Sequence, residues 1–308
     1  MSAAPDLGEW SNQPVYHPCP ADPSCPYCNG SINQTGGALD WSFLDAAYCI
    51  SLKTRDDRVA EAAAEFHKVG LCQRVTFYRP DKHPKNGFVG SWASHRDVGM
   101  DALERGCART LICEDDVLFT RRVRPATLRA IERALHALPP DWMIFFLGHW
   151  PLAAYFVRHN VLRTSSGCSH AYIASPRLLR WLRDHPWGSP RVQFSRIAGR
   201  GVDSAYAKLP GTYALFPMLA IQRVSTSDNF DDLSTRKRKK KRKLKHLVTR
   251  SAYRELLLSR LMRPFEIIVA LLSPAFFVAG RINSRSALAR PGAAQTAGVT
   301  EEPDQRQA

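Results

Sequence analysis

At 308 residues, with 44% hydrophobic and 10% aromatic content, the chain can bury a sizeable core, which excludes a disordered protein. Its net charge of +15 would suit a nucleic-acid binder, yet residues 236–263 hold 13 Lys or Arg against one acid and supply +12, leaving +3 elsewhere. The basic character is local, so the body of the chain offers no nucleic-acid face.

Residues 1–40 are rich in Pro, Gly, Asn and Ser and read as an extension made of turns. Residues 1–13 are polar and acidic and do not resemble a secretory leader, so a cytoplasmic setting with reduced thiols is expected. His17, Cys19, Cys25 and Cys28 bring four soft or borderline ligands into this segment, threaded with Pro18, Pro20, Pro23 and Pro26. A structural Zn²⁺ with Cys-x₂-Cys as one half-site is one reading, and a metal-free proline turn is the other. Cys49, Cys72, Cys107, Cys113 and Cys168 sit in apolar stretches and read as small core residues.

The core is expected over 41–235. Residues 46–52 form a short apolar strand, and 56–69 follow with Val59, Ala62, Phe66 and Val69 at helical spacing. A strand over 74–78, a helix over 90–106 and a strand over 110–113 come next. Leu128, Ile131, Leu135 and Leu138 predict a helix over 127–138, which Pro139 and Pro140 stop. Strands over 142–147 and 171–174 and a helix over 176–184, with Pro at its first turn, complete the series. Alternating strands and helices predict an α/β domain on a mainly parallel central sheet, with its site at the carboxyl ends of strands.

The run Leu-Ile-Cys-Glu-Asp-Asp-Val-Leu at 111–118 is the most informative segment. An apolar run suits a strand buried on both faces, while three adjacent carboxylates repel unless a cation or donors compensate them. Mg²⁺ and Mn²⁺ take such oxygens, usually one or two acids plus substrate phosphates, so Glu114, Asp115 and Asp116 read as a nucleotide-diphosphate site. An acidic strand end or helix cap is the alternative. Alternate residues of an extended strand point the same way, which makes Glu114 and Asp116 the expected metal or ribose contacts and turns Asp115 toward backbone donors.

Three segments in order, Tyr48 to Arg58, Gly87 to His95 and Leu111 to Val117, resemble the glycosyltransferase family 25 group, which includes bacterial lipopolysaccharide galactosyltransferases and procollagen galactosyltransferases. Phe146-Leu147-Gly148, Ala171 to Ser175, Val202-Asp203, and Pro217 with Gln222 resemble its later motifs, so the likeness spans about residues 46–230. Ser51 stands where the family usually has Asn, Lys53-Thr54 replaces Asp-Arg, and Cys113 replaces Leu or Val. The resemblance implies a GT-A-like nucleotide-sugar-binding fold. It also implies inverting transfer of a hexose, usually galactose, from a UDP-sugar to a glycan or lipid-linked acceptor such as lipopolysaccharide, assisted by Mn²⁺ or Mg²⁺.

Roles follow from the chemistry. An inverting transfer needs a base for the acceptor hydroxyl, and Asp203 is the candidate, with a helix N-cap as its alternative. Arg55 and Arg58 follow the first core strand and can reach phosphates, although Arg58 can equally pair with Asp57 or Glu61. Ser94 and His95 are donor-side candidates, and a satisfied structural histidine is an equal reading of His95. His149, Gln222 and Asp228 are further acceptor, donor or metal contacts.

At 236 the composition changes, with nine cations in ten residues over 236–245. Leucines recur at helical intervals beyond, and 265–280 is nearly all apolar but shorter than the roughly 20 residues a bilayer span needs. Residues 236–283 therefore read as a tail lying on an anionic membrane surface, and 284–308 as disordered. Two other functions compete: a nucleic-acid-binding protein using the basic run, and an inactive glycosyltransferase-like scaffold, against which the intact acids count.

Overall fold

A computed structural model describes residues 12–32, 39–84, 86–149, 151–167, 169–194 and 201–223. The basic and apolar tail, with Asp228, lies outside the described residues. In chain order the elements begin β1 (Val15–Pro18), β2 (Ala46–Ile50), α1 (Asp56–Lys68), β3 (Val75–Arg79), α2 (Gly87–Glu104) and β4 (Thr110–Glu114). They continue with β5 (Val117–Phe119), α3 (Pro125–His136), β6 (Ile144–Gly148), β7 (Pro151–Arg158) and β8 (Val161–Ser166). The last are β9 (Ala171–Ala174), α4 (Pro176–Asp184), α5 (Val202–Tyr206), β10 (Thr212–Leu215) and β11 (Ala220–Gln222).

The fold is mixed α/β. Nine strands form one sheet in the order β1-β3-β2-β4-β9-β6-β10-β8-β7, and β11 pairs with β5 in a small second sheet. Strands β3, β2 and β4 pair in parallel, as do β6 and β10. Antiparallel β9 stands between β4 and β6, and β1 and β8 also run against their neighbours, so the sheet is mixed where a mainly parallel one was expected. The turn-rich N-terminal segment contributes β1 to the sheet edge, and its Cys19, Cys25 and Tyr27 are buried in the core.

Strand alternation divides the core between the two faces of the sheet. Leu111 and Cys113 of β4 and Phe145 and Leu147 of β6 face one side with Phe66 of α1 and Leu128 and Ile131 of α3. Ile112, Ile144, Phe146 and Tyr172 face the other with Trp92 and Val98 of α2 and Leu178, Leu179 and Leu182 of α4. Each fully buried side chain of this size contributes about 1.5–3 kcal/mol, which explains why the central strands read as continuous apolar runs. Helix ends are specified locally: the Asn86 side chain accepts from the Phe88 N–H at 2.9 Å to start α2, and Pro176 follows the Ser175 cap of α4.

Candidate functional site

The strand directions bring one edge of the sheet together. β2, β4 and β6 all end there, with Ile50 opposite Glu114, and β9 begins there, with Ala171 opposite both Cys113 and Gly148. The chain leaves β2 toward β3 and leaves β4 toward β6, in opposite directions along the sheet, which makes this end a topological switch point, the place where open α/β sheets bind ligands.

β4 stops at Glu114, and Asp115 and Asp116 make the turn into β5. The expectation that Glu114 and Asp116 share one face of an extended strand therefore fails, because the alternation ends where the turn begins. Each acid meets its own set of partners. The Glu114 carboxylate accepts from the Ser169 hydroxyl and lies 3.5 Å from His95 Nε2, and its side chain stays 28% exposed. Burial pushes its carboxyl up, but the hydrogen bond and charge of His95, then Ser169, outweigh that and hold it at about 2.

His95 is buried on α2, with Nδ1 2.8 Å from the Tyr172 hydroxyl, which lies 2.9 Å from that of Tyr206. Burial first, then each other and the carboxylates of Glu114 and Asp203, push the Tyr172 phenol up; burial does the same for Tyr206. Asp203 thus lies within electrostatic reach of the same tyrosine pair as Glu114. It is not the helix cap: Gly201 caps α5, and Asp203 sits inside its first turn.

Asp115 does not meet backbone donors as a side chain. It accepts from Arg58 Nη1 and from the Ser51 hydroxyl, both at 2.8 Å, and its own N–H donates to the Ile50 carbonyl at 3.1 Å. Burial pushes its carboxyl up against the pull of Arg58 and Ser51. Arg58, expected to reach phosphates or to pair with Asp57 or Glu61, is buried and joined to Asp115. Ser51, at the position where the resembled family has Asn, is thus one of the two side chains that hold Asp115.

Asp116 is held by Gln222 Nε2 at 2.8 Å, and its carbonyl accepts from the Arg223 N–H at 2.6 Å, so β11 closes over the turn. Arg55 grips exposed Asp57 through two hydrogen bonds of 2.9 and 2.8 Å at the start of α1. Ser94 donates to the Gly90 carbonyl at 2.8 Å inside α2 and is fully accounted for by the helix. His149 follows β6, is buried, and is lowered to about 3 by burial first and His170 second. Gly148 has room for no side chain, since a Cβ would lie 2.2 Å from His170 Nε2 and 2.5 Å from the Ala220 carbonyl.

Sequence reasoning missed Ser169, His170, Tyr172 and Tyr206. The signal was a polar Ser-His pair directly before the apolar β9, in the segment that resembles the family's Ala-Tyr-Ile motif.

The N-terminal ligands are rearranged. His17 stacks on Phe77 at 5.5 Å between centroids and Cys19 is buried in the core, so neither joins the expected zinc set. Cys25 and Cys28 instead face His67 and Cys72, with all four ligand atoms within 4.8 Å of one another. Among the described residues this is the one group of three or more such ligands drawn together.

No family model matches the sequence, and no curated protein matches it. Among solved structures, the chain is similar to the crystal structure of A197 from STIV, with a TM-score of 0.34 and 12% identity over 57% of this chain and 82% of that one. It is also similar to a glycosyltransferase involved in the glycosylation of the major capsid of PBCV-1, with a TM-score of 0.29 and 9% identity. That match covers 45% of this chain and 64% of the other. Both likenesses are remote.

Proposed function

We propose that the chain is a GT-A-like glycosyltransferase that moves a hexose, galactose in the reading its motifs imply, from a UDP-sugar to a glycan or lipid-linked acceptor such as lipopolysaccharide, with inversion. The observation that carries this reading is the acidic turn Glu114–Asp116 where β2, β4 and β6 end, with Glu114 accepting from Ser169 and lying 3.5 Å from His95. The ordered motifs from Tyr48 to Gln222 supply the donor class.

Glu114 and Asp116 are hard oxygen donors on either side of the strand end, and either would offer its carboxylate to Mg²⁺ or Mn²⁺, for which one or two acids completed by substrate phosphates make the usual set. When bound, the ion neutralises charge developing on the departing diphosphate. The protein orients both carboxylates beforehand: Ser169 and His95 hold Glu114, and Gln222 holds Asp116. Asp115 and Arg58 have a positioning role, fixing the turn to α1. Asp203 takes the proton from the attacking acceptor hydroxyl. Arg55, on the rim after β2, can exchange Asp57 for a donor phosphate.

Acceptor delivery involves the tail over 236–283, which places the enzyme peripherally on an anionic membrane face. Among the described residues, no helix is long and apolar enough to cross a membrane. A hydrolysis screen of several UDP-sugars with Mn²⁺ or chelator tests the reading. Metal-dependent release of UDP from one of them is expected, and turnover of none, across donors and metals, contradicts it.

A further inference from the structure

Three thiols and an imidazole from distant parts of the chain converge behind the C-terminal end of α1. Cys25 and Cys28 come from the N-terminal turn, His67 from the last turn of α1, and Cys72 from the connection to β3. Cys25 Sγ lies 3.8 Å and Cys28 Sγ 3.5 Å from Cys72 Sγ, and Cys28 Sγ lies 3.5 Å from His67 Nδ1. A tetrahedron with Zn–S of about 2.3 Å and Zn–N of about 2.0 Å requires sulfur pairs about 3.8 Å apart and sulfur–nitrogen pairs about 3.5 Å apart. These three edges match such a tetrahedron, and the other three are no longer than 4.8 Å. The first three are far longer than the roughly 2.05 Å of a disulfide, and the three cysteines are free thiols.

We infer that Cys25, Cys28, His67 and Cys72 form a structural Zn²⁺ site. The surroundings are built for it. The other ring nitrogen of His67, Nε2, lies 3.0 Å from the Pro20 carbonyl, the partner that leaves Nδ1 as the lone-pair donor and fixes the ring. The Cys28 N–H donates to the Cys25 carbonyl at 3.0 Å, closing the Cys-x₂-Cys turn. Gly70, between His67 and Cys72, has φ +68°, and a Cβ there would lie 2.7 Å from the Tyr27 ring, so the connection after α1 is shaped to receive the 25–28 turn.

Four protein ligands close the coordination sphere, which marks a structural ion rather than a catalytic one. The ion ties the N-terminal segment to α1 and β3. It also fixes the far end of the helix whose first turn carries Arg58, roughly 13 Å away along the axis at 1.5 Å per residue. The assignment stands apart from the glycosyltransferase reading, because metal content is measured without any activity.

The test uses the full chain, purified without metal-affinity resin and analysed for zinc by mass spectrometry of the elements. About one zinc per chain is expected, retained in His17→Ala and Cys19→Ser and lost in Cys72→Ser and His67→Ala. Should the last two fail to fold, replacement of the native metal by Co²⁺ in the unaltered chain supplies the second measurement. The intense thiolate charge-transfer and tetrahedral d–d bands of a Cys₃His site support the assignment. Wild-type protein without zinc and without those bands overturns it, as does zinc that follows His17 and Cys19, or a Cys28–Cys72 disulfide found after thiol alkylation under non-reducing conditions.

Discussion

Arg58 Nη1 sits 2.8 Å from Asp115 Oδ1, both side chains no more than 10% exposed, and this ion pair joins the first turn of α1 to the turn that follows the central strand. Removing one partner of a buried pair leaves the other charge without compensation, at a cost of about 3–5 kcal/mol. Arg58→Met should therefore lower the urea-unfolding free energy by about 3 kcal/mol, and adding Asp115→Asn should recover about 1 kcal/mol or more. Single losses that simply add in the double variant would show that the two groups do not depend on one another.

Gly148 ends β6 against His170 and the Ala220 carbonyl, with no space for a methyl group. Gly148→Ala should cost about 1–3 kcal/mol by overpacking, read as a lower midpoint in thermal unfolding. Because His170 adjoins Glu114 electrostatically, the substitution should also reduce UDP-sugar turnover. A variant with unchanged midpoint and turnover counts against this packing.

His149 gives stability a pH dependence of defined sign. Burial, then His170, holds it at about 3 from an ordinary 6.5, so the folded chain keeps a neutral ring where the unfolded chain binds a proton. Its contribution is present above pH 6.5 and is lost as the pH falls toward 3. Denaturant midpoints from pH 7 to 4.5 should show a decline, and His149→Gln should remove about 1 kcal/mol per pH unit of that slope. Residual slope is expected from His170, which burial also lowers. An identical slope in the variant excludes His149 as its source.

The strands of the central sheet were legible because burial on both faces writes them as apolar runs: β9 and α4 occur at the predicted bounds, and β4 ends one residue beyond its own. β8, reading Val-Leu-Arg-Thr-Ser-Ser, and four-residue β1 and β10 carry no such signal: β8 is defined by its hairpin with β7, and β1 and β10 by partners distant in sequence, β3 for the one and β6 and β8 for the other. The mixed sheet was hidden for the same reason. Motifs pointed to Glu114, His95 and Asp203, but the pairing of Arg58 with Asp115 spans 57 positions, and no spacing rule connects them. Cys72 looked like a core thiol because its partner Cys28 lies 44 positions away, outside any compact ligand pattern.

The tail prediction comes from sequence alone. Nine cations over 236–245 followed by an apolar stretch should hold the chain on vesicles containing anionic lipid at low salt. Truncation after Asp232 should release it in a sedimentation assay, and vesicle binding that survives truncation contradicts membrane anchoring by the tail.

The central claim is that the acidic turn after β4 receives the nucleotide diphosphate together with a divalent ion. Calorimetric titration of UDP into the full chain, with Mn²⁺ and then with chelator, tests it most directly. Binding should weaken about tenfold or more when the metal is removed, and Glu114→Gln and Asp116→Asn should show the weak value even with Mn²⁺ present. Equal UDP affinity in all three proteins, with or without metal, would place the nucleotide elsewhere.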